Sequence, residues 1–191
     1  MDEKKVDRRV RRTKRQLRMA LTSLMLEKDI NTITVFEITE LADVNRGTFY
    51  SHYKDVRDLL SQLEEGIFVN LAEVSRTYDP RDPNSDASSF IYDILTLVSD
   101  NADICKALLC NNGDLDFQRR LFLVLKDDFF RKYLQSCCQA DEYLLEYYCI
   151  FSVSGVLSIT KNWLSCGQKE TPSEIARICV AFIMKGIEAL K

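Results

Sequence analysis

Between Thr34 and Asp55 the chain writes two short helices around a tight turn, and this spacing constrains the fold more than any other stretch. Thr34-x-x-Glu37 is a capping box, in which two side chains satisfy orphan amides at a helix start. Val35, Ile38, Leu41 and Ala42 follow at helical spacing and are predicted to face inward. Asp43 falls at the turn, where a short polar side chain tolerates a left-handed backbone, and Val44 plugs the gap between the helices. Asn45 can cap a third helix, expected over Arg46 to Tyr53 with Phe49 inward and Arg46, Thr48, Tyr50, Ser51 and His52 on its outer faces. Gly47, a poor helix former near its start, fits close approach of the backbone to another surface.

A helix pair of this kind can brace one helix across a nucleic-acid backbone and set the other in the major groove. The amides at the Thr34 helix start can hold a phosphate. Tyr50, His52 and Lys54 offer polar tips to the backbone. Arg46 and Thr48 are best placed for base edges, Arg through two hydrogen bonds to guanine and Thr through a hydroxyl and a methyl.

Net charge, −3, argues against a polyanion partner until its distribution is considered. Residues 1–60 carry 13 Lys and Arg against 10 Asp and Glu, whereas residues 61–191 carry 13 against 19. Nine basic residues lie between Lys4 and Arg18 (Lys4, Lys5, Arg8, Arg9, Arg11, Arg12, Lys14, Arg15 and Arg18), opposed by Asp7 alone. A basic head on an acidic body suggests that one end meets a polyanion; a solvated, frayed helix is the other reading of the run.

The remainder reads as all-α. Six Gly and three Pro in 191 residues leave room for long helices and little for a turn-rich β fold. Leu17, Ala20, Leu21, Leu24 and Met25 give a first helix over about Lys4 to Lys28, ending before Asn31-Thr32. Asp55 caps a fourth helix to about Tyr78, with a seam of Val56, Leu60, Leu63, Ile67, Leu71 and Val74. Asp79 to Asp86 reads as the main loop. Further helices are predicted near 86–100, 102–111, 114–138, 141–166 and 172–190. Thr171-Pro172-Ser173-Glu174 opens the last, whose expected inner face is Ile175, Ile178, Phe182, Ile183 and Leu190. The domain junction falls within the fourth helix, giving a DNA-binding part over 1–54 and a helical regulatory and dimerisation part over 55–191.

Other chemistries find little support. Seven cysteines occur without a C-x-x-C pair, and His52 is the only histidine, so no metal site is expected. The thiols read as mostly reduced core residues, with Cys137-Cys138 the place to look for a redox sensor. No nucleophile constellation or Gly-rich phosphate loop appears, which argues against an enzyme and against a cofactor. No uninterrupted apolar run approaches the roughly 18 residues that span a bilayer. The longest candidate, Cys149 to Ile159, contains Ser152, Ser154 and Ser158. With no apolar segment after the basic N-terminus, a cytoplasmic protein without membrane contact is expected.

The run Val44-Asn45-Arg46-Gly47-Thr48-Phe49-Tyr50-Ser51-His52-Tyr53-Lys54-Asp55 resembles the TetR family of bacterial transcriptional regulators, closely over about Arg15 to Leu60. The resemblance implies an N-terminal three-helix helix-turn-helix domain joined to a C-terminal helical ligand-binding and dimerisation domain. It implies a homodimer on a palindromic operator of double-stranded DNA, usually a repressor released by a small molecule. Thr34, Arg46, Thr48, Tyr50 and His52 match DNA-contacting places of the family, and Asn45, Gly47, Tyr53 and Lys54 complete the expected contact set. Two positions depart: the usual turn Gly is Asp43, and the usual phosphate-binding Lys is Val56, for which Lys54 can substitute.

By the same resemblance the last two helices form the dimer interface, with Tyr143, Tyr147, Phe151, Leu157, Ile175, Phe182 and Ile183 supplying apolar area and Gly155 and Gly186 allowing close approach. The alternative is that these faces pack on the chain's own core. A small-molecule pocket is expected between C-terminal helices. Phe90, Phe117, Leu121, Phe129, Tyr147 and Trp163 are its bulky candidates, and each can equally be core. A protein partner is the alternative to a small-molecule effector, with the chain acting as activator or adaptor.

Overall fold

Caps and apolar seams decide where the helices begin and which faces they bury. The computed structural model describes residues 3–76, 78, 87–110, 114–137 and 141–188, excepting the side chains of residues 3–7, 87, 128, 136, 137, 187 and 188. Among the described residues there is no strand. The helices are α1 (Glu3–Glu27), α2 (Val35–Ala42), α3 (Arg46–Tyr50), α4 (Val56–Arg76), α5 (Ala87–Asp100) and α6 (Ala102–Leu109). They continue with α7 (Leu115–Val124), α8 (Arg131–Cys137), α9 (Glu142–Ser165) and α10 (Pro172–Glu188). The chain divides into two compact units, one of residues 1–67 with 103–113, the other of 68–102 with 114–191. The division falls within α4, between Ile67 and Phe68, beyond the expected edge at residue 54.

In the first unit, Leu17, Ala20, Leu21 and Met25 of α1 are buried, and α1 packs on α2. A 3-10 turn, Ile30–Thr32, follows, capped by Asp29, whose carboxylate accepts the Asn31 amide at 2.7 Å. The buried stripe of α2 is Ile38, Thr39 and Ala42; Leu41, expected inward, is 56% exposed. Leu41 lies about 110° round the helix from the centre of that stripe, and Thr39 takes the inner place. Its hydroxyl is satisfied there by the Val35 and Phe36 carbonyls. The seam of α4 is buried from Val56 to Ile67, with Leu59 added to it.

The second unit departs most from the sequence pattern. The helix expected over 114–138 is interrupted by a π-helical turn, Leu125–Phe130, between α7 and α8. Leu125, Phe129, Phe130 and Leu134 are all buried. Their spacing of four, one and four suits the wider π turn, with its i→i+5 bonds, better than 3.6 residues per turn. Lys126 pairs with Glu146 at 2.7 Å, and Arg131 pairs with Glu142 and Glu146, tying this turn and α8 to α9. The Glu146 hydrogen bond raises the Lys126 ammonium above its ordinary pKa and lowers Glu146 below its own.

α10 packs on α5 and α9. Its inner face is Ile175, Ala176, Cys179 and Ile183, whereas Ile178 and Phe182, expected inward, are exposed. Steps of four and four from Ile175 carry the buried stripe through Cys179, so positions 178 and 182 form a separate face. The Thr171–Glu174 capping box at its start is present, with the Thr171 amide donating to Glu174 at 2.8 Å and the Glu174 amide to Thr171 at 3.3 Å. Leu190 and most of the predicted loop over 79–86 lie outside the described residues. One helix, α9, is long and apolar enough to cross a membrane by length and composition alone. The search for an uninterrupted run missed it because scattered Ser and Gly break the run without making the whole helix polar.

Candidate nucleic-acid interface

The Thr34 cap forms as the sequence predicts. Its amide and hydroxyl donate to Glu37 at 2.9 and 2.8 Å, and the Glu37 amide donates back at 3.3 Å. Lys28 pairs with the same carboxylate. The Lys28 and Thr34 hydrogen bonds hold the Glu37 carboxyl down to about 2. By helix geometry the amides of Val35 and Phe36 have no acceptor within α2, so they remain to meet an anion at this end.

The turn closes through Asp43, at φ 52° and ψ 49°, and through the Val44 amide bonded to the Thr39 carbonyl at 3.0 Å. That i→i−5 bond with a left-handed residue is a helix stop that Asn and Asp can occupy in place of Gly. Asn45 then caps α3, its side-chain oxygen accepting the Gly47 amide at 2.7 Å. A Cβ at Gly47 would lie 3.2 Å from that oxygen, so Gly keeps the cap uncrowded.

α3 is shorter than expected, running from Arg46 to Tyr50 with His52 in the following turn. Phe49 is its only fully buried residue, at 0% exposure, while Tyr50 is 59% exposed. Arg46 and Gly47 are also exposed, and Thr48 and His52 are half-buried. Tyr53, expected among the DNA contacts, is instead core at 4% exposure, its ring 5.7 Å from Phe49. Burial pushes its phenol pKa up. Lys54 is exposed, and its amide donates to Asp58 at 2.8 Å.

Phe36 is the residue that pattern reading missed. It is half-exposed, and the Arg46 guanidinium sits 4.8 Å from its ring centre. A cation over an aromatic face is held by the ring quadrupole, so Phe36 sets the starting position of the Arg expected to read bases. The signal lay in its outward place on α2, one turn from Thr39 and Glu40. Along α1, Arg8, Arg9, Arg11, Arg12, Arg15 and Arg18 are exposed and Lys14 is half-buried.

The C-terminal expectations separate in the same way. Tyr143, Phe151 and Phe182 are exposed, as is Tyr147, which at 62% exposure is an outer-face residue and not a cavity wall. Ile175 and Ile183 are buried within the chain's own core. Gly186 approaches Tyr148 of the same chain, for a Cβ there would lie 2.6 Å from the phenol oxygen. No atom lies within 4 Å of a Cβ at Gly155, where the approach is open. Phe90, Phe117, Leu121, Phe129 and Trp163 are buried. Of these, Phe90 and Phe129 line an apolar cavity of about 20 Å³ with Tyr78, Phe130 and Ile183. Phe117 packs on Phe68, and the Trp163 indole donates to the Glu170 carbonyl at 2.9 Å. Cys105, Cys110, Cys149 and Cys179 are buried, with burial raising the thiols of 105, 149 and 179; Cys166 is exposed. The side chains of Cys137 and Cys138 lie outside the described residues.

Residues 85–185 match a family model described as a transcriptional regulator C-terminal region. Over 62 residues, 32% of this chain, the sequence is 40% identical to the uncharacterized HTH-type transcriptional regulator YxbF of Bacillus subtilis (strain 168). The match spans 16% of that relative's length. A TetR transcriptional regulator from Streptococcus agalactiae 2603V has a similar structure, with a TM-score of 0.63 at 26% identity, covering 95% of this chain and 99% of its own. The dihydroxyacetone kinase operon activator DhaS shares the fold, with a TM-score of 0.63 at 16% identity and coverage of 94% and 98%.

Proposed function

Because the chain belongs to the TetR family of transcriptional regulators, we propose that it acts in the cytoplasm as a homodimer on an inverted-repeat operator and represses transcription until an effector bound by its C-terminal part releases it. The observation that carries this reading is the two-sided α3. Phe49 anchors the helix from within while Arg46, Gly47 and Tyr50 stay exposed on the same five residues. A helix held so shallowly offers its backbone and its outer side chains to a groove.

In this reading Arg46 and Thr48 meet base edges, and Tyr50, His52, Lys54 and the first amides of α2 meet phosphates. The exposed cations of α1 add salt-sensitive affinity without sequence preference. Tyr143, Tyr147, Phe151 and Phe182 leave an apolar surface uncovered, which supports a second copy as its cover. Activation is the second reading: a chain of the same fold is named an operon activator.

Selection of bound duplexes from a random pool tests the proposal. The expected product is an inverted repeat with half-sites about one helical turn apart, roughly 34–36 Å, bound with a strong salt dependence. Light scattering of the free protein should give twice the chain mass. Recovery of no preferred duplex, or affinity indifferent to salt, would overturn the reading.

A further inference from the structure

Two spaces in the C-terminal unit share a wall. A groove of about 460 Å³ lies between α5 and α10, lined on its polar side by Ser88, Ser89, Tyr92, Ser173 and Arg177. The apolar cavity described above has room for about one water. Val180 and Met184 line both. Within the cavity wall Phe90 stacks between Tyr78, at 4.8 Å, and Phe129, at 4.5 Å.

Size alone favours the groove, since small-molecule sites run from about 300 to 1,000 Å³. The groove carries hydroxyls and one guanidinium, and its neighbour carries only hydrocarbon, aromatic surface and a thioether. Glu174, one turn before Arg177, is bonded back to the Thr171 amide and hydroxyl at 2.8 and 2.9 Å. Its carboxylate is therefore already engaged, and Arg177 faces the groove as the cation of its lining. Met184 is 42% exposed and its sulfur accepts the Tyr133 hydroxyl at 3.3 Å. An unbranched thioether has three rotatable bonds and adapts to an incoming shape more readily than a branched side chain. It is the part of the shared wall that can move.

We propose that groove and cavity together form a site for an anionic amphiphile, a ligand with a carboxylate or phosphate head and an unbranched apolar tail. This rests on the reading of the C-terminal unit as the regulatory part. Arg177 holds the head with the Ser88, Ser89 and Ser173 hydroxyls beside it. The tail passes Val180, displaces Met184 from Tyr133, and lies against Phe90 and Phe129. The guanidinium fork matches either head, and the tail supplies affinity in proportion to the hydrocarbon it removes from water.

Calorimetric titration of the full chain with octanoate, octyl phosphate, octanol and acetate tests the site, and the preferred head separates the two anions. Across hexanoate, octanoate and decanoate each added methylene should tighten binding about fourfold, with acetate silent. Arg177→Gln, at an exposed position, should weaken the preferred anion about tenfold or more and leave octanol unchanged. Met184→Phe should flatten the chain-length dependence. An octanoate carrying a terminal photoreactive diazirine should label peptides holding Val180, Met184 or Phe129, a readout independent of any variant. Absence of binding by both anions, equal binding by Arg177→Gln, or labelling elsewhere overturns the proposal. A protein that binds its selected duplex but neither anion loses this site and keeps its regulatory role; one that binds the anion but no duplex does the reverse.

Discussion

Phe49 and Tyr50 are neighbours in sequence with opposite duties, and their alanine variants should fail in opposite ways. Phe49 is fully buried and is the anchor of a helix only five residues long. An isolated helix of that length does not hold together in water, so its order depends on docking. Truncating a buried Phe to Ala costs about 3–5 kcal/mol. In a chain of this size each kcal/mol moves the melting temperature by about 2–4 °C, so Phe49→Ala should melt about 6–20 °C lower if the units unfold together. Tyr50 touches Phe49 edge-on at 5.5 Å. That contact is worth about 0.5–1.5 kcal/mol, which bounds the stability loss of Tyr50→Ala. Its hydroxyl, by contrast, is assigned a charged phosphate acceptor, and such a hydrogen bond contributes about 1.5–3 kcal/mol. A dimer on two half-sites would lose it twice, weakening binding by about 3–6 kcal/mol. Gel-shift titration beside thermal melts of the same preparations separates the two. Equal melting losses for both variants would refute the burial argument, and unchanged affinity of Tyr50→Ala would remove its phosphate contact.

Arg46→Ala should relax sequence preference at one base pair per half-site at a cost of about 1–3 kcal/mol; an unchanged selected motif would mean that Arg46 reads no base. Asn45→Ala removes the α3 cap and should destabilise by about 0.5–2 kcal/mol, read from the urea midpoint. Because Glu37 is held at about 2 in the fold, it contributes stability above its unfolded pKa, and that contribution is lost as pH falls from about 4.5 towards 2. Glu37→Gln should flatten the acid limb of a stability–pH curve, and an unaltered limb would place acid sensitivity elsewhere. Gly186→Ala should lower the melting temperature through its clash with Tyr148, by about 1–3 kcal/mol; weakened dimerisation at full stability would instead return Gly186 to the interface.

Local chemistry was legible in the sequence wherever a cap or an uninterrupted seam wrote it. Both Thr-x-x-Glu boxes, the Asn45 cap, the left-handed Asp43 and the buried run of α4 follow from neighbouring residues alone. What failed was the choice of face on short or doubly apolar helices. α2 has eight residues, and either Thr39 or Leu41 completes a plausible stripe; tertiary packing chose the hydroxyl because nearby carbonyls satisfy it. α10 is apolar on two faces, so Ile178 and Phe182 could not be told from Cys179 and Ile183 by periodicity. Tyr53 was assigned outward on the assumption that α3 continued to it. The chain turns after Tyr50, and that turn directs the ring inward. Phe36 became significant only through Arg46, a contact between helices that no spacing rule encodes.

The π turn between α7 and α8 amounts to one supernumerary residue stored in a rod. Losing any single position among Lys126, Asp127 and Asp128 would let the ladder revert to ordinary rungs and swing everything downstream by about 100°. Leu134 would leave its seat, and the pairing of Arg131 with Glu142 and Glu146 would be broken. A shortening that sequence comparison would score as trivial is therefore, for this molecule, a change of gear.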